Sequence, residues 1–127
     1  MNNELFVAHT IIKRVQKIWG IEEWIVNEKG YCGKKLTVNK GCRCSLHCHK
    51  KKAETFYVLS GSGWIETHGI NCFVIPGMII DIKPGQYHRF STIRPWGTTD
   101  ELVLIEFSTH HEDDDVVRKE ESCGQTK

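Results

Sequence analysis

The chain has 127 residues, of which 39% are hydrophobic and 26% charged, the composition of an ordinary globular protein. Its 17 Lys and Arg residues balance 16 Asp and Glu residues, so the formal net charge is only +1 and no global field attracts nucleic acid or an anionic membrane. No apolar run approaches the roughly 20 residues that span a bilayer, and no basic segment followed by an apolar one opens the chain. We therefore expect one domain, residues 1–127, in the cytoplasm, without nucleic-acid or membrane partners.

Short apolar or alternating runs, each closed by Gly, Pro or Asn, follow one another along a core of residues 13–108, and helix signals are nearly absent. The predicted strands are residues 13–19, 23–27, 34–39, 44–49, 55–60, 63–67, 71–75, 78–82, 87–91 and 101–108. Many short strands at this spacing are typical of a β-sandwich or β-barrel, so the fold class is all-β. The charged tail, residues 109–127, is either a short helix or an extended arm, and its three consecutive Asp residues are expected to be solvated.

Six cysteines invite either disulfides or a zinc site, because three of them crowd a segment that also carries two histidines. Their C-x-C-x3-C spacing differs from the C-x2-C pairs of structural zinc sites. A cytosolic chain of this length does not need disulfides for stability. We expect free, mostly structural thiols at Cys32, Cys42, Cys44, Cys48, Cys72 and Cys123.

The strongest chemical signal lies between Gly41 and Gly61. His47 and His49 are two residues apart on a predicted strand, so their side chains face the same side. Glu54 begins the next strand after a turn, and an antiparallel hairpin would bring it beside both imidazoles. His88 ends the second hairpin and supplies a fourth donor. Three imidazoles and one carboxylate suit a divalent first-row metal such as Mn, Fe, Co, Ni or Zn.

The spacing of these residues resembles the cupin superfamily. Its first motif, G-x5-H-x-H-x4-E-x6-G, is matched at every fixed position by residues 41–61. Its second motif, G-x5-P-x-G-x2-H-x3-N, is matched by Gly77, Gly85 and His88, whereas Lys83 and Thr92 stand in place of its Pro and Asn. The resemblance implies a single-domain cupin β-barrel (a double-stranded β-helix of jelly-roll type) that holds a metal ion on the residues His47, His49, Glu54 and His88.

A narrower resemblance covers almost the whole chain. K-I-W-G at residues 17–20, V-L-S-G at 58–61, L-I-E at 104–106 and D-D-V-V-R at 114–118 are similar to segments of the C-terminal cupin domain of type II mannose-6-phosphate isomerases and of small sugar isomerases of the D-lyxose isomerase type. Those isomerases commonly have Gln where His47 stands. Cys123 and Gln125 replace a terminal Tyr and Arg, and the loss of that Arg weakens the case for a phosphorylated substrate.

The resemblance implies a metal-dependent aldose–ketose isomerase that acts on a sugar or sugar phosphate through a cis-enediol. Two other functions remain open at this stage, a metal-dependent cupin dioxygenase and a non-catalytic sugar-binding cupin, because the spacing of the ligands does not separate them and fold alone does not define function. Small cupins often pair through an N-terminal strand and a sheet face, so a homodimer is also expected.

The predicted general base is Glu106, since a carboxylate on the inner face of a strand is usually paired or functional; Glu66 and Asp81 are weaker candidates. Of the three consecutive lysines, Lys52 is expected to meet an anionic substrate at the barrel mouth, while its two neighbours form a solvated turn. His88 and Phe90 are expected to alternate with outward-facing Tyr87 and Arg89. Core or dimer packing is expected of the aromatic residues Trp19, Trp24, Phe56, Trp64, Phe73 and Phe90.

Overall fold

The computed structural model of the protein describes residues 5–94 and 97–122. In this part of the chain there are thirteen β-strands, one 3₁₀ turn at Asp113–Asp115 and no α-helix. The strands are β1 Lys13–Lys17, β2 Gly20–Glu28, β3 Tyr31–Val38, β4 Leu46–His49, β5 Glu54–Gly61, β6 Gly63–Thr67, β7 Ile70–Val74, β8 Ile79–Ile82, β9 Arg89–Ser91, β10 Ile93–Arg94, β11 Gly97–Thr98, β12 Leu102–Ser108 and β13 Val116–Glu120. The all-β prediction is confirmed.

The strands form two facing layers. The larger sheet has the order β1-β2-β3-β12-β5-β8, and every pairing in it is antiparallel. The second layer contains β7-β6-β9 and the pair β13-β4. Backbone hydrogen bonds in both directions between His47 and His88, of 3.1 and 2.8 Å, connect β4 to the start of β9, so the two parts of this layer are continuous.

Tight turns keep consecutive strands adjacent. The β6–β7 turn consists of His68 and Gly69, which both have positive φ values, 51° and 74°. Two successive residues with positive φ give a turn whose twist matches that of a β-hairpin. Gly61 ends β5 with φ 76°, and a Cβ there would lie 1.8 Å from the carbonyl oxygen of Glu101. The last glycine of the first motif is therefore required by backbone packing.

The space between the layers is apolar at one end and polar at the other. The apolar end is filled by a cluster of buried side chains that includes Val38, Val58, Phe90 and Leu104. The polar end contains a row of inward-facing residues that are register partners across the larger sheet, Lys13, Trp24, Lys34, Glu106 and Phe56. The polar end is where a ligand can enter, because its side chains line the main cavity.

The charged tail packs on the barrel. After the 3₁₀ turn, β13 pairs with β4, the strand that carries two of the predicted metal ligands. Asp115 is only 4% exposed and its carboxylate accepts hydrogen bonds from the backbone N–H groups of Lys51 and Lys52, at 2.9 and 3.1 Å. The expectation that this aspartate is solvated is therefore wrong, because its buried carboxylate accepts two backbone hydrogen bonds in place of water.

Other expectations on packing are corrected in detail. Arg89 does lie on the opposite face from His88, but it is only 1% exposed, since its guanidinium is covered by Glu66 and Glu120. Phe73 is 48% exposed and contacts Trp64 edge-on, so of the two roles expected for it, core packing is wrong and dimer packing stays a prediction. The five described cysteines are free as expected, whereas Cys123 lies outside the described residues.

No helix in the described part of the chain is long and apolar enough to cross a membrane.

Candidate metal centre and sugar-binding cavity

The main cavity has a volume of about 690 Å³ and is open at the polar end of the barrel. This volume lies within the range of small-molecule sites. All four predicted metal ligands line it, together with Lys52, Glu106 and the tail residues His111 and Arg118. The cavity is therefore large enough for a monosaccharide in contact with these side chains.

Three histidines meet inside the barrel. The ring centres of His47 and His49 are 5.1 Å apart, those of His47 and His88 are 4.6 Å apart, and those of His49 and His88 are 6.3 Å apart. His47 and His49 share one face of β4, as the spacing predicts, and His88 is placed beside His47 by the pairing of their backbones.

Glu54 reaches these imidazoles by a different route from the one predicted. β4 and β5 do not form a hairpin, because they belong to facing sheets and the chain crosses the barrel between them. Glu54 consequently points at the histidines across the interior. Its carboxylate oxygens lie 3.2 Å from His88 Nε2 and 3.6 Å from His49 Nε2.

Two of the histidines present an available nitrogen to the cavity. The Nδ1–H of His47 donates to the carbonyl of Ser45 at 2.9 Å, and the Nδ1–H of His88 donates to the carbonyl of Gln86 at 3.0 Å. A carbonyl can only accept, so in each neutral ring the proton is on Nδ1 and the lone pair is on Nε2. This arrangement is common in metal-binding histidines, whose orientation is set by a hydrogen bond to the other ring nitrogen.

Electrostatics favours the protonation states that a metal requires. Burial lowers the pKa of His47 to about 4 and that of His49 to about 3, so both rings are neutral at pH 7. Burial opposes ionisation of Glu54, but the adjacent positive charge of Lys52 outweighs it and holds the pKa of this carboxyl well below its usual range. Neutral imidazoles beside an ionised carboxylate are the ligand forms of these groups.

The residues present fit a divalent cation in their chemistry. Among residues 5–94 and 97–122, no group of three or more His, Cys, Asp or Glu side chains already has the spacing of a formed metal centre. However, His49 Nδ1 and Glu54 Oε1 are buried with no hydrogen-bond partner among the described residues. Buried polar atoms are rarely left unpaired, and a cation held by Glu54 and the imidazoles would satisfy the carboxylate oxygen.

Glu106 and Lys52 lie next to this group. Glu106 is 3% exposed and faces the cavity from β12, as the sequence predicts. The Lys52 ammonium lies 3.0 Å from Glu106 Oε2 and 3.2 Å from Glu54 Oε2. Burial alone would lower the pKa of Lys52, but the carboxylates of Glu106 and Glu54 outweigh it and raise this pKa. Lys52 is thus inside the cavity wall, not at the mouth where it was expected.

Sequence reasoning missed Lys34 and His111, which both line the cavity. Lys34 is 1% exposed, lies 3.6 Å from a Glu22 oxygen and stacks over the Trp24 ring at 4.3 Å. His111 contacts Lys52 from the tail. Their signal in the sequence is weak, since a lysine in a strand and a histidine in a charged tail are usually exposed. By contrast, Glu66 and Asp81 do not line the cavity: Glu66 pairs with Arg89 and Arg94, and Asp81 accepts a hydrogen bond from Thr55.

A β-barrel of two facing sheets with histidines and a glutamate converging in its interior defines a cupin. The chain belongs to the mannose-6-phosphate isomerase C-terminal family, whose model matches residues 3–121. The resemblance to the C-terminal domain of mannose-6-phosphate isomerases is thereby confirmed. Cys123 and Gln125, which replace the terminal Tyr and Arg of those isomerases, lie outside the described residues.

The chain is also similar to a curated relative in sequence and to solved structures in fold. The chain is 26% identical over 114 residues to the xanthan biosynthesis protein XanB of Xanthomonas campestris pv. campestris (strain B100); the match covers 90% of the chain but only 24% of XanB. The same fold occurs in CapF, a capsular polysaccharide assembling protein of Staphylococcus aureus (TM-score 0.72, 18% identity, 89% of this chain, 35% of CapF). It also occurs in KdgF from Halomonas sp. (TM-score 0.70, 13% identity, 85% of this chain, 98% of KdgF).

Proposed function

We propose that this chain is a metal-dependent isomerase that interconverts an aldose and a ketose, as a free sugar or as a sugar phosphate. The observation that carries the proposal is the position of Glu106. Its carboxylate is buried in the cavity wall and tied through Lys52 to Glu54, one of the four proposed metal ligands. A carboxylate kept in the interior at such a place is a candidate general base.

The relatives' names support a carbohydrate substrate. XanB is named for xanthan biosynthesis and CapF for capsular polysaccharide assembly, and this chain is similar to a part of each. The chain spans about a quarter of the length of XanB. The cavity offers carboxylate, ammonium and imidazole groups to sugar hydroxyls, and Trp24 to an apolar ring face.

The reaction moves one proton from C2 to C1 of the sugar and a second from the C2 hydroxyl to the C1 oxygen, so that the carbonyl passes from C1 to C2. Both hydrogen bonds to Glu106, from Lys52 and from Ser108, use Oε2, so Oε1 is the oxygen that would take the proton from C2 and return it to C1. Lys52 and Ser108 hold the carboxylate in place during both transfers. The donors His47, His49, Glu54 and His88 would hold a divalent cation, which supplies positive charge next to the reacting sugar oxygens.

Turnover on a small sugar panel tests the proposal. Purified protein is stripped of metal and reloaded in turn with Mn, Co, Ni, Zn and Fe(II), and ketose formation is followed from D-lyxose, D-mannose, mannose 6-phosphate and glucose 6-phosphate. Metal-dependent ketose from any of these sugars supports the isomerase and shows whether phosphate matters. If no metal gives ketose, oxygen uptake by the Fe(II) form would indicate a dioxygenase, and sugar-induced stabilisation without turnover would indicate a binding protein.

The substitution His49→Ala is expected to lower both the metal content and the activity of the reloaded protein. It removes one of four proposed ligands from the interior, while the three others remain. Metal per chain is measured by elemental analysis after dialysis against a limiting metal concentration, and ketose formation is measured on the same samples.

The matched control is His9→Ala, which removes an exposed histidine outside the cavity. It should leave metal content and turnover unchanged. Full metal retention with normal turnover in the His49→Ala protein would show that the metal centre has been assigned to the wrong residues.

Homodimerisation stays a prediction. Three consecutive apolar residues, Leu5, Phe6 and Val7, are 97%, 78% and 77% exposed. Monomeric proteins rarely leave contiguous apolar surface of this kind in contact with water. We expect light scattering after size exclusion to give about twice the 14.6 kDa mass of the chain. Replacing Leu5 and Phe6 by Ser should shift the protein toward the monomer. A monomeric wild-type protein at micromolar concentration would contradict the expectation.

A further inference from the structure

The Lys52 ammonium has three close acceptors. It lies 3.2 Å from Glu54 Oε2, 3.0 Å from Glu106 Oε2 and 3.0 Å from His111 Nδ1. A lysine ammonium has three N–H donors and no acceptor. The three contacts therefore use all its donors, and two of them go to the proposed ligand and the proposed base.

The His111 ring is held in the form that this contact requires. Because Lys52 can only donate, Nδ1 of His111 must accept, and the proton of the neutral ring is on Nε2. Nε2 lies 2.9 Å from the carboxylate of Asp113, which accepts that proton's hydrogen bond. The ring is 11% exposed and packs edge-on against Trp24, with 5.2 Å between ring centres.

The backbone at this point is also anchored. The His111 N–H donates to Asn27 Oδ1 at 2.9 Å, and Asn27 Nδ2 donates back to the His111 carbonyl at 3.2 Å. Four residues later, Asp115 binds the backbone N–H groups of Lys51 and Lys52. The tail therefore holds Lys52 at both its main chain and its side chain.

We infer that His111 is a positioning residue: its Nδ1 lone pair keeps the Lys52 ammonium between Glu54 and Glu106 and so sets the direction of the Glu106 carboxylate. The inference rests on the proposed function for its catalytic consequence but not for the contact itself. Without an acceptor at this position, one Lys52 donor would be buried and unpaired, and the ammonium would shift toward one carboxylate or toward the cavity.

Two substitutions of one residue test this role. Asn offers its side-chain oxygen at about the place of Nδ1 in His, whereas Leu fills similar space without an acceptor. We expect His111→Leu to lower kcat by about 10–100-fold, the usual effect of losing a contact that orients a functional group, with little change in KM. His111→Asn should restore most of kcat. The control His110→Leu removes an exposed histidine that contacts only the Glu28 carbonyl among the described residues, and should leave kcat unchanged.

The contact is measured independently of activity by nitrogen-15 NMR of the histidine rings in metal-free protein. The expected result is the Nε2–H tautomer for His111 in the wild type and a slowly exchanging Lys52 ammonium signal that is lost in His111→Leu. The Nδ1–H tautomer, or equal kcat in the Asn and Leu variants, would overturn the inference. If no sugar is turned over but the tautomer and the ammonium signal are as expected, the contact stands and the isomerase proposal fails.

Discussion

Glu106→Gln is expected to retain its metal and to lose sugar isomerisation by about 10²–10⁴-fold in kcat, the usual contribution of a positioned general base. Gln has the shape of Glu but cannot take a proton at neutral pH. Its side-chain oxygen can still accept from Lys52 and Ser108, which bind Glu106 Oε2 at 3.0 and 2.7 Å. The geometry of the site should therefore survive while the proton transfer does not, and kcat and metal content measured on one preparation separate the two.

The matched control is Glu101→Gln, an exposed carboxylate just before the same strand, which should behave as wild type. Unchanged turnover in the Glu106→Gln protein would remove Glu106 from the mechanism. It would not restore Glu66 or Asp81 as the base, because neither side chain lines the cavity.

Lys52→Met is expected to lower the free energy of unfolding of the metal-free protein by about 3–5 kcal/mol, the cost of breaking a buried ion pair by removing one partner. Met has a similar length but no charge, so the carboxylates of Glu54 and Glu106 would face each other in the interior without the ammonium that now separates them. Urea unfolding at pH 7 in the presence of a chelator measures the change.

The neighbouring lysine provides the control. Lys51 is 77% exposed and pairs with Glu112 at 3.5 Å on the surface, so Lys51→Met should cost no more than about 1 kcal/mol. Adding Glu106→Gln to Lys52→Met should recover part of the lost stability, since it removes one of the two unpaired charges. Equal stability of the two single lysine variants would show that the buried cluster does not hold Lys52 as described.

The two predictions probe one cluster from opposite directions. Glu106→Gln changes the chemistry and keeps the charge-bearing lysine, whereas Lys52→Met keeps both carboxylates and removes what holds them together. If Glu106→Gln keeps its stability but loses turnover, and Lys52→Met loses both stability and turnover, then the Lys52 ammonium orients the proposed base.

The order of the strands along the chain and the four proposed metal ligands were predictable from patterns of neighbouring residues in the sequence. Alternating apolar positions and turn residues are short-range signals, so the positions of most strands agree with the structure to within a few residues. The spacing of His47 and His49 is also local, since residues two apart on a strand share a face. The inward direction of Glu106 follows from the same rule applied to Leu104.

Contacts between elements distant in the chain could not be predicted in this way. Glu54 reaches the histidines from the facing sheet rather than from a hairpin, because the chain crosses the barrel after β4. Arg89 is on the predicted face but is buried, because Glu120 of the tail covers it. Nothing near either residue in the sequence indicates which sheet or which distant carboxylate it meets.

The amino-acid sequence alone was sufficient for the all-β class, the two cupin motifs and the four proposed ligands, because the class depends on periodicity and each motif on spacing within about twenty residues, 41–61 and 77–92. Only the tertiary structure showed that the tail forms β13 against β4, and that His111 and Asp115 hold Lys52 between two carboxylates. The physical reason is that a buried charge is stabilised by whichever partners the folded chain brings to it. Those partners lie about sixty residues away, where no local pattern records them.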